Sequence, residues 1–284
     1  MKFPYLLSIL VGILAIGGVA AALIAGSSGP DALADGKSND KGHSACQDLP
    51  SHGQLTAALS GAIGGNGGLS NHMWATVVNS DGVVCQVAKS GDDNNDQWLG
   101  SRVISAQKAN TANAFSLNAD EGPLSAFPGL ALSTANLFSA VQPGGSLFGL
   151  QLSNPVDTRA AYQSNANNYG DSKDPMVGSK IGGVNVFGGG LGLYDEDGVL
   201  VGAVGVSGDT SCADHNVAWR TRDALALDFV PVGLSGAGFD NIIYDITPDG
   251  DGHPVSASGF GHPLCGFGEE VPAALLPTDF PVGP

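Results

Sequence analysis

Between positions 55 and 63 the apolar residues Leu55, Ala58, Leu59, Ala62 and Ile63 recur three and four apart, the spacing of one helix face. The following GGNGG ends that pattern. In MWATVVNSDGVVCQVA, two β-rich runs flank Ser80-Asp81-Gly82, and Asp-Gly between such runs predicts a hairpin. GLGLYDEDGVLVGAVGV repeats the arrangement around Asp197-Gly198. Residues 102–115 predict a helix, with Ile104, Lys108, Thr111 and Phe115 near one face, and a shorter helix is expected over 132–140. A last helix is expected over SCADHNVAWRTRDALAL, with Ser211 as N-cap and Asp214 as its capping-box-like partner. Pro231 blocks its continuation.

The order is therefore helix, hairpin, helices, hairpin, helix. Strands paired as local hairpins make an antiparallel sheet, and helices of this length must cover its faces. The expected fold class is α/β in the α+β sense: a sandwich with a central antiparallel sheet covered by helices. Residues 1–34 are set apart as an export segment and 35–45 as a polar, aperiodic linker. The folded domain is placed at 46–230, with a polar insertion at 153–181. Residues 231–284, rich in Gly and Pro, are read as an extended tail packed on the domain.

Composition narrows the function. Eleven basic residues against 27 acidic ones give a net charge of −16. That excludes a nucleic-acid partner, which needs clustered Lys and Arg. Lys2 precedes an uncharged apolar run over 3–26, the pattern of an export signal. Ala32-Leu33-Ala34 offers a cleavage site, so a cleaved signal and an N-terminal membrane anchor are both open, and either puts the domain in the periplasm or outside the cell. Cys46, Cys85, Cys212 and Cys265 include no closely spaced pair, which disfavours structural zinc. An even count in an oxidising compartment suggests two disulfides. Of three pairings, Cys46 with Cys85 and Cys212 with Cys265 is the one adopted, tying the N-terminal arm to the first hairpin and the tail to the last helix.

Three stretches, taken together, resemble the GlcG/HbpS-like haem-binding family. SRVISAQKANTANAF at 101–115 is similar to its helix with a Lys-x-x-Thr-Ala core, here starting at Lys108. AVQPGGSLFGLQ at 140–151 is similar to its Gln-Pro-Gly-Gly turn, and GLYDEDGVLVGAVGVSGDTSCADHNVA at 192–218 to its strand–turn–strand–helix ending. The resemblance implies a profilin-like fold, homo-oligomers and haem binding outside the cytoplasm, with haem degradation in some members. The insertion, the cysteines and the tail depart from the family pattern.

Haem needs an apolar slot, an axial ligand and donors for its propionates. His215 lies four residues before Trp219, on one helix face, and is the expected metal ligand. His52, before the first helix, and His72, two residues before Trp74 in a strand, are further candidates, with Trp219 and Lys108 lining the cofactor site. His43 lies in the linker, and His253 and His262 lie in the tail that the family pattern does not cover. The turn at 205–210 leads into a helix N-terminus that could hold an anion. Ser207 lacks the Gly-x-Ser-x-Gly context of a hydrolase nucleophile. Asp249-Gly250-Asp251-Gly252 and the Asp92, Asp93, Asp96 cluster resemble calcium sites only faintly. The leading expectation is an exported haem- or tetrapyrrole-binding protein that captures its ligand non-covalently. A haem-degrading or other small-molecule enzyme using the same pocket, and a ligand-free assembly protein, are the alternatives.

Overall fold

The structure is a computed structural model that describes residues 46–119, 129–233 and 239–283. The export segment, the 35–45 linker and His43 lie outside the described residues.

A capping box starts the first helix. Ser51 Oγ accepts from the Gln54 N–H, Gln54 Oε1 accepts from the Ser51 N–H at 2.9 Å, and α1 runs over His52–Ala62. The first hairpin is β1 (Trp74–Asn79) with β2 (Val84–Lys89). Its turn is held by Asn79 Oδ1, which accepts from the N–H groups of Asp81 and Val83, and Gly82 takes the left-handed conformation at φ +77°. After α2 (Ser101–Ala114) come β3 (Gly190–Tyr194) and β4 (Leu200–Ser207), joined by a turn in which Asp195 Oδ1 plays the part of Asn79. β1 pairs antiparallel with β4, from Trp74 opposite Ser207 to Asn79 opposite Gly202, so the two distant hairpins merge into one sheet of order β2-β1-β4-β3.

Both faces of that sheet are covered, which is why its strands read as almost continuous apolar runs. On one face Trp74, Val78, Val84, Val87 and Ala203 pack on Val103, Ala106 and Ala109 of α2. On the other, Ala75, Val77, Leu191, Val204 and Val206 pack on Leu55 and Leu59 of α1 and on Val217 and Trp219 of α3 (Ser211–Ala224). Contact between α2 and β4 depends on Gly205. A Cβ there would lie 2.0 Å from the Ser105 carbonyl oxygen and 2.5 Å from the Ala109 nitrogen, both of them backbone. Forcing the helix off the sheet should make Gly205→Ala lose about 2–3 kcal/mol in urea unfolding. A loss below about 0.5 kcal/mol, the ordinary range for surface changes, would mean that α2 tolerates displacement.

Three expectations need correction. Residues 132–140 do not form an α-helix. Ser133 and Asn136 bond reciprocally to each other's backbone N–H groups, and this local turn outcompetes the helix. The N-cap of α3 is Thr210, whose hydroxyl accepts from the Ala213 N–H, and Ser211 is the first helical residue. The tail is also more structured than an extended strap. It contains a small hairpin, β5 (Ile246–Pro248) with β6 (Pro254–Ser256), and a ten-residue helix, α4 (Glu270–Asp279), which buries Ala273 and Leu276. Pro277 inside α4 hid it from a reading by periodicity.

The 153–181 segment is tied down rather than loose. The Arg102 side chain makes a two-pronged, fully buried contact with Asp174, reaches the Ala161 carbonyl at 2.8 Å and lies 3.6 Å over the Tyr169 ring. Disulfides join Cys46 to Cys85 and Cys212 to Cys265, as expected. Among the described residues no helix is long and apolar enough to cross a membrane.

Candidate functional site

Where α2, the end of β4 and the start of α3 meet, the chain leaves an open cleft of about 280 Å³. Trp98, Ser101, Ile104, Lys108, Phe187, Ser207, Asp209, Ser211 and Asp214 line it. Its floor is a buried ion pair: Lys108 Nζ donates to Asp214 Oδ2 at 2.6 Å and to the Val206 carbonyl at 3.1 Å. Lys108 comes from the helix on one face of the sheet and Asp214 from the helix on the other. They meet beside Gly189, which carries no side chain. A Cβ on Gly189 would stand 2.4 Å from the Val206 carbonyl oxygen, 3.0 Å from the Asp214 Cβ and 3.2 Å from Lys108 Nζ.

Asp214 also explains the glycine turn before α3. Its Oδ1 accepts from the N–H groups of Gly208 and Asp209, at 3.0 and 2.9 Å. Asp209 in turn accepts from Leu69, Asn71 and Thr210 N–H groups. The anion expected at this turn is thus one of the chain's own carboxylates. Burial pushes the Asp214 carboxyl up to about 6 against the pull of Lys108, and the same burial lowers the Lys108 ammonium. Trp98 and Phe187, about half exposed, line the cleft with this polar pair, and Phe138 backs Phe187 with ring centroids 6.2 Å apart.

The histidines are dispersed. His215 and Trp219 do share a face of α3, with rings 6.3 Å apart, but that face is sealed. His215 is completely buried; its Nε2 is 3.1 Å from both Asn241 Oδ1 and the Ile242 N–H, and the Trp219 N–H donates to the Phe280 carbonyl. Expected as the metal ligand, His215 instead anchors the tail and leaves no open face to a porphyrin iron. Burial lowers it to about 4, so it is neutral at pH 7. His52 sits half-buried with Nε2 2.9 Å from the Gly170 carbonyl, linking α1 to the 153–181 segment. His72 is exposed; its Nδ1 is 3.1 Å from Ser90 Oγ. Its backbone bridges to Gln97, next to Trp98, and its carbonyl lies against Gly208, between the cleft residues Ser207 and Asp209, although His72 itself does not line the cleft. Trp74, expected on the same face as His72, turns into the core and donates its indole N–H to the Trp98 carbonyl at 2.9 Å.

Other residues were not picked out from sequence. Asp214 appeared only as a cap partner, while Trp98 and Phe187 lie in loops without periodicity. His262 reaches back from the tail: its Nε2 is 3.1 Å from Ser211 Oγ, its Nδ1 2.8 Å from the Pro263 carbonyl, and Phe138 flanks the ring. The two faint calcium motifs are acidic turns whose carboxylates bond locally, Asp249 to the N–H groups of Asp251 and His253 and Asp96 to the Asp93 N–H.

The family model described as "Haem degrading protein HbpS-like" matches residues 68–222. No curated protein matches the chain. Two of the similar solved structures are the following. One is the Klebsiella pneumoniae protein ORFY, assigned to family-model DUF336: it is 25% identical over 61% of this chain and 86% of its own, with a TM-score of 0.39. The other is described as a PduOC:haem complex: it is 23% identical over 61% of this chain and 89% of its own, with a TM-score of 0.39.

Proposed function

The chain belongs to the HbpS-like haem-degrading family, and from that premise we propose that it is an exported protein that binds haem at the rim of the Lys108–Asp214 cleft. The observation that carries this reading is that two half-exposed aromatic side chains, Trp98 and Phe187, line one cleft together with the buried Lys108–Asp214 pair, inside the matched segment. Flat apolar rings suit a porphyrin face. The residues fit the group in that respect, and His72 adds an imidazole. If its Nδ1–H donates to Ser90 Oγ, Nε2 keeps its lone pair for a metal. Bound haem would supply a redox-active iron whose chemistry is the cofactor's own.

The chain's residues do the holding. Trp98 and Phe187 would shield the porphyrin from water, and His72 would offer its imidazole to the iron. Lys108 is committed to Asp214 and serves as a fixed floor rather than a propionate clamp. Ligand pockets usually enclose roughly 300–1,000 Å³, and about 280 Å³ open to solvent covers only an edge of the macrocycle. That supports a homo-oligomer in which a second copy closes the site. Export is supported by the apolar N-terminal run and by two disulfides, the pattern of an oxidising compartment.

Titration with haemin tests the reading. The wild-type chain should shift the Soret band to a saturable end point. His72→Ala and Trp98→Ala should each weaken binding by about tenfold, roughly 1.4 kcal/mol. No Soret change with the wild-type chain defeats the proposal. The family description favours a second reading, degradation, which would appear as loss of the Soret band with iron release once a reductant and oxygen are added.

A further inference from the structure

Behind the cleft wall, three ligand-type side chains converge that the haem reading does not use. Cys212 Sγ, Cys265 Sγ and a ring nitrogen of His262 lie within 4.8 Å of one another. Cys212 is the second residue of α3, and Cys265 and His262 come from the tail. In the structure the two sulfurs are joined, with Cα atoms 6.1 Å apart.

We propose that these residues form a latent metal site: when the Cys212–Cys265 bridge is reduced, the two thiolates and His262 Nδ1 bind a zinc-like divalent cation beside Ser211. A tetrahedral site with Zn–S near 2.3 Å and Zn–N near 2.0 Å separates sulfur from nitrogen by roughly 3.5 Å and sulfur from sulfur by roughly 3.8 Å. His262 Nδ1 already stands 3.8 Å from Cys212 Sγ. The sulfurs need only swing apart about their Cα–Cβ bonds, and the Pro263 carbonyl, 2.8 Å from Nδ1, must turn aside. A metal-bound imidazole needs an acceptor for its other N–H. Ser211 Oγ is in place for that, 3.1 Å from Nε2. As Nδ1 leaves the Pro263 carbonyl, its proton passes to Nε2, which can then donate to Ser211 Oγ and leave the Nδ1 lone pair for the metal. Two sulfurs and one nitrogen are a borderline-soft donor set suited to zinc, with the fourth position left to water.

Reduction has a route. Cys265 is half-buried between exposed Leu264 and Phe267, whereas Cys212 is fully buried. A thiolate from a dithiol reductant would attack Cys265 Sγ and expel Cys212 as the thiolate. The N-terminus of α3 stabilises that charge and so improves the leaving group. The mixed disulfide is then closed by the reductant's second thiol. The reductant leaves as a cyclic disulfide, and two electrons and two protons have passed to the cysteines. Binding of a divalent cation then displaces the two thiol protons.

The test uses the whole chain, reduced with excess dithiothreitol, freed of reductant without oxygen and titrated with Co²⁺. One Co²⁺ per chain should bind with thiolate charge-transfer absorption and the visible bands of a tetrahedral ion, and the unreduced chain should show neither. His262→Gln should weaken binding by more than about 100-fold, and Ser211→Ala by about tenfold. Because the cysteine variants could fail to fold, the wild-type chain is also alkylated with and without Co²⁺ and its peptides weighed. Bound metal should shield the partly exposed Cys265 but leave the partly exposed Cys46 as reactive as before, Cys212 and Cys85 being buried with or without metal. No cobalt absorption after reduction, shielding of Cys46 in place of Cys265, or a Cys212–Cys265 bridge that opens only on unfolding would each overturn the proposal. None of these outcomes depends on whether the chain binds haem.

Discussion

Lowering the pH from 7 to 5 should cost the folded domain about 2–3 kcal/mol of stability, most of it through two histidines. His215 and His262 are held near 4 by burial, against an ordinary value of 6.5. Below pH 6.5 the unfolded chain takes up a proton at each, while the folded chain does not until about pH 4. The unfolded state then binds more protons, so stability falls with falling pH through that window. At pH 5 each histidine contributes a loss of roughly 2 kcal/mol. Asp214 opposes them. Its carboxyl, raised by burial to about 6, takes up a proton in the folded state before the unfolded one, and this returns roughly 1.4 kcal/mol by pH 5. Two histidines outweigh one carboxyl, so the net sign is destabilising. Urea midpoints at pH 7 and 5 measure it, both above the sequence isoelectric point of 4.3, where association would interfere. His215→Gln should remove about three-quarters of the pH dependence. A wild-type domain equally stable at both pH values would show that one of the rings is accessible to protons when folded.

The hairpins and α2 were legible because their signals are local. An Asp-Gly turn dictates its own conformation, and Asn79 and Asp195 reinforce it with bonds inside five residues. The merging of the hairpins followed from layer logic, since neither ribbon could cover its apolar faces alone. The cleft was less legible. Lys108 stood out, but its partner is 106 residues away, and nothing near Asp214 distinguishes it from an ordinary cap residue. Gly189, beside which the two meet, reads as a loop residue until the backbone positions are known. His215 misled for a related reason. Its spacing from Trp219 was right, yet spacing assigns a shared face and not what covers it, and the cover is the tail. There, prolines interrupt the periodicity of α4, and Asn241 and His262 act through contacts that only the folded chain creates.

Removing one partner of the Arg222–Asp240 pair should be the most damaging single change at the tail. The guanidinium donates to both Asp240 oxygens, at 2.7 and 2.9 Å, reaches the Gly192 carbonyl at 3.2 Å and lies 4.9 Å from the Trp219 ring centroid. Both side chains are fully buried. Asp240→Asn therefore leaves a cation in the core without its counter-charge, which costs about 3–5 kcal/mol in comparable buried pairs. The pair itself need not be strongly stabilising, because desolvating both ions offsets much of their attraction. Arg222→Met combined with Asp240→Leu removes both charges and should cost far less than either single change, about 1–2 kcal/mol. Urea unfolding of the four proteins gives the coupling directly. If Asp240→Asn loses under 1 kcal/mol, water reaches the guanidinium and the tail is not sealed there. The sealing matters beyond stability. Residue 240 begins the stretch that brings Asn241 to His215 and then His262 and Cys265 to the start of α3. In the reduced protein, with the disulfide gone, this ion pair still holds the start of that stretch, together with the bonds of Asn136 and Ser139 to the Asn241 and Gly261 carbonyls, so Asp240→Asn should also weaken Co²⁺ binding while leaving the cobalt spectrum of the remaining bound fraction unchanged.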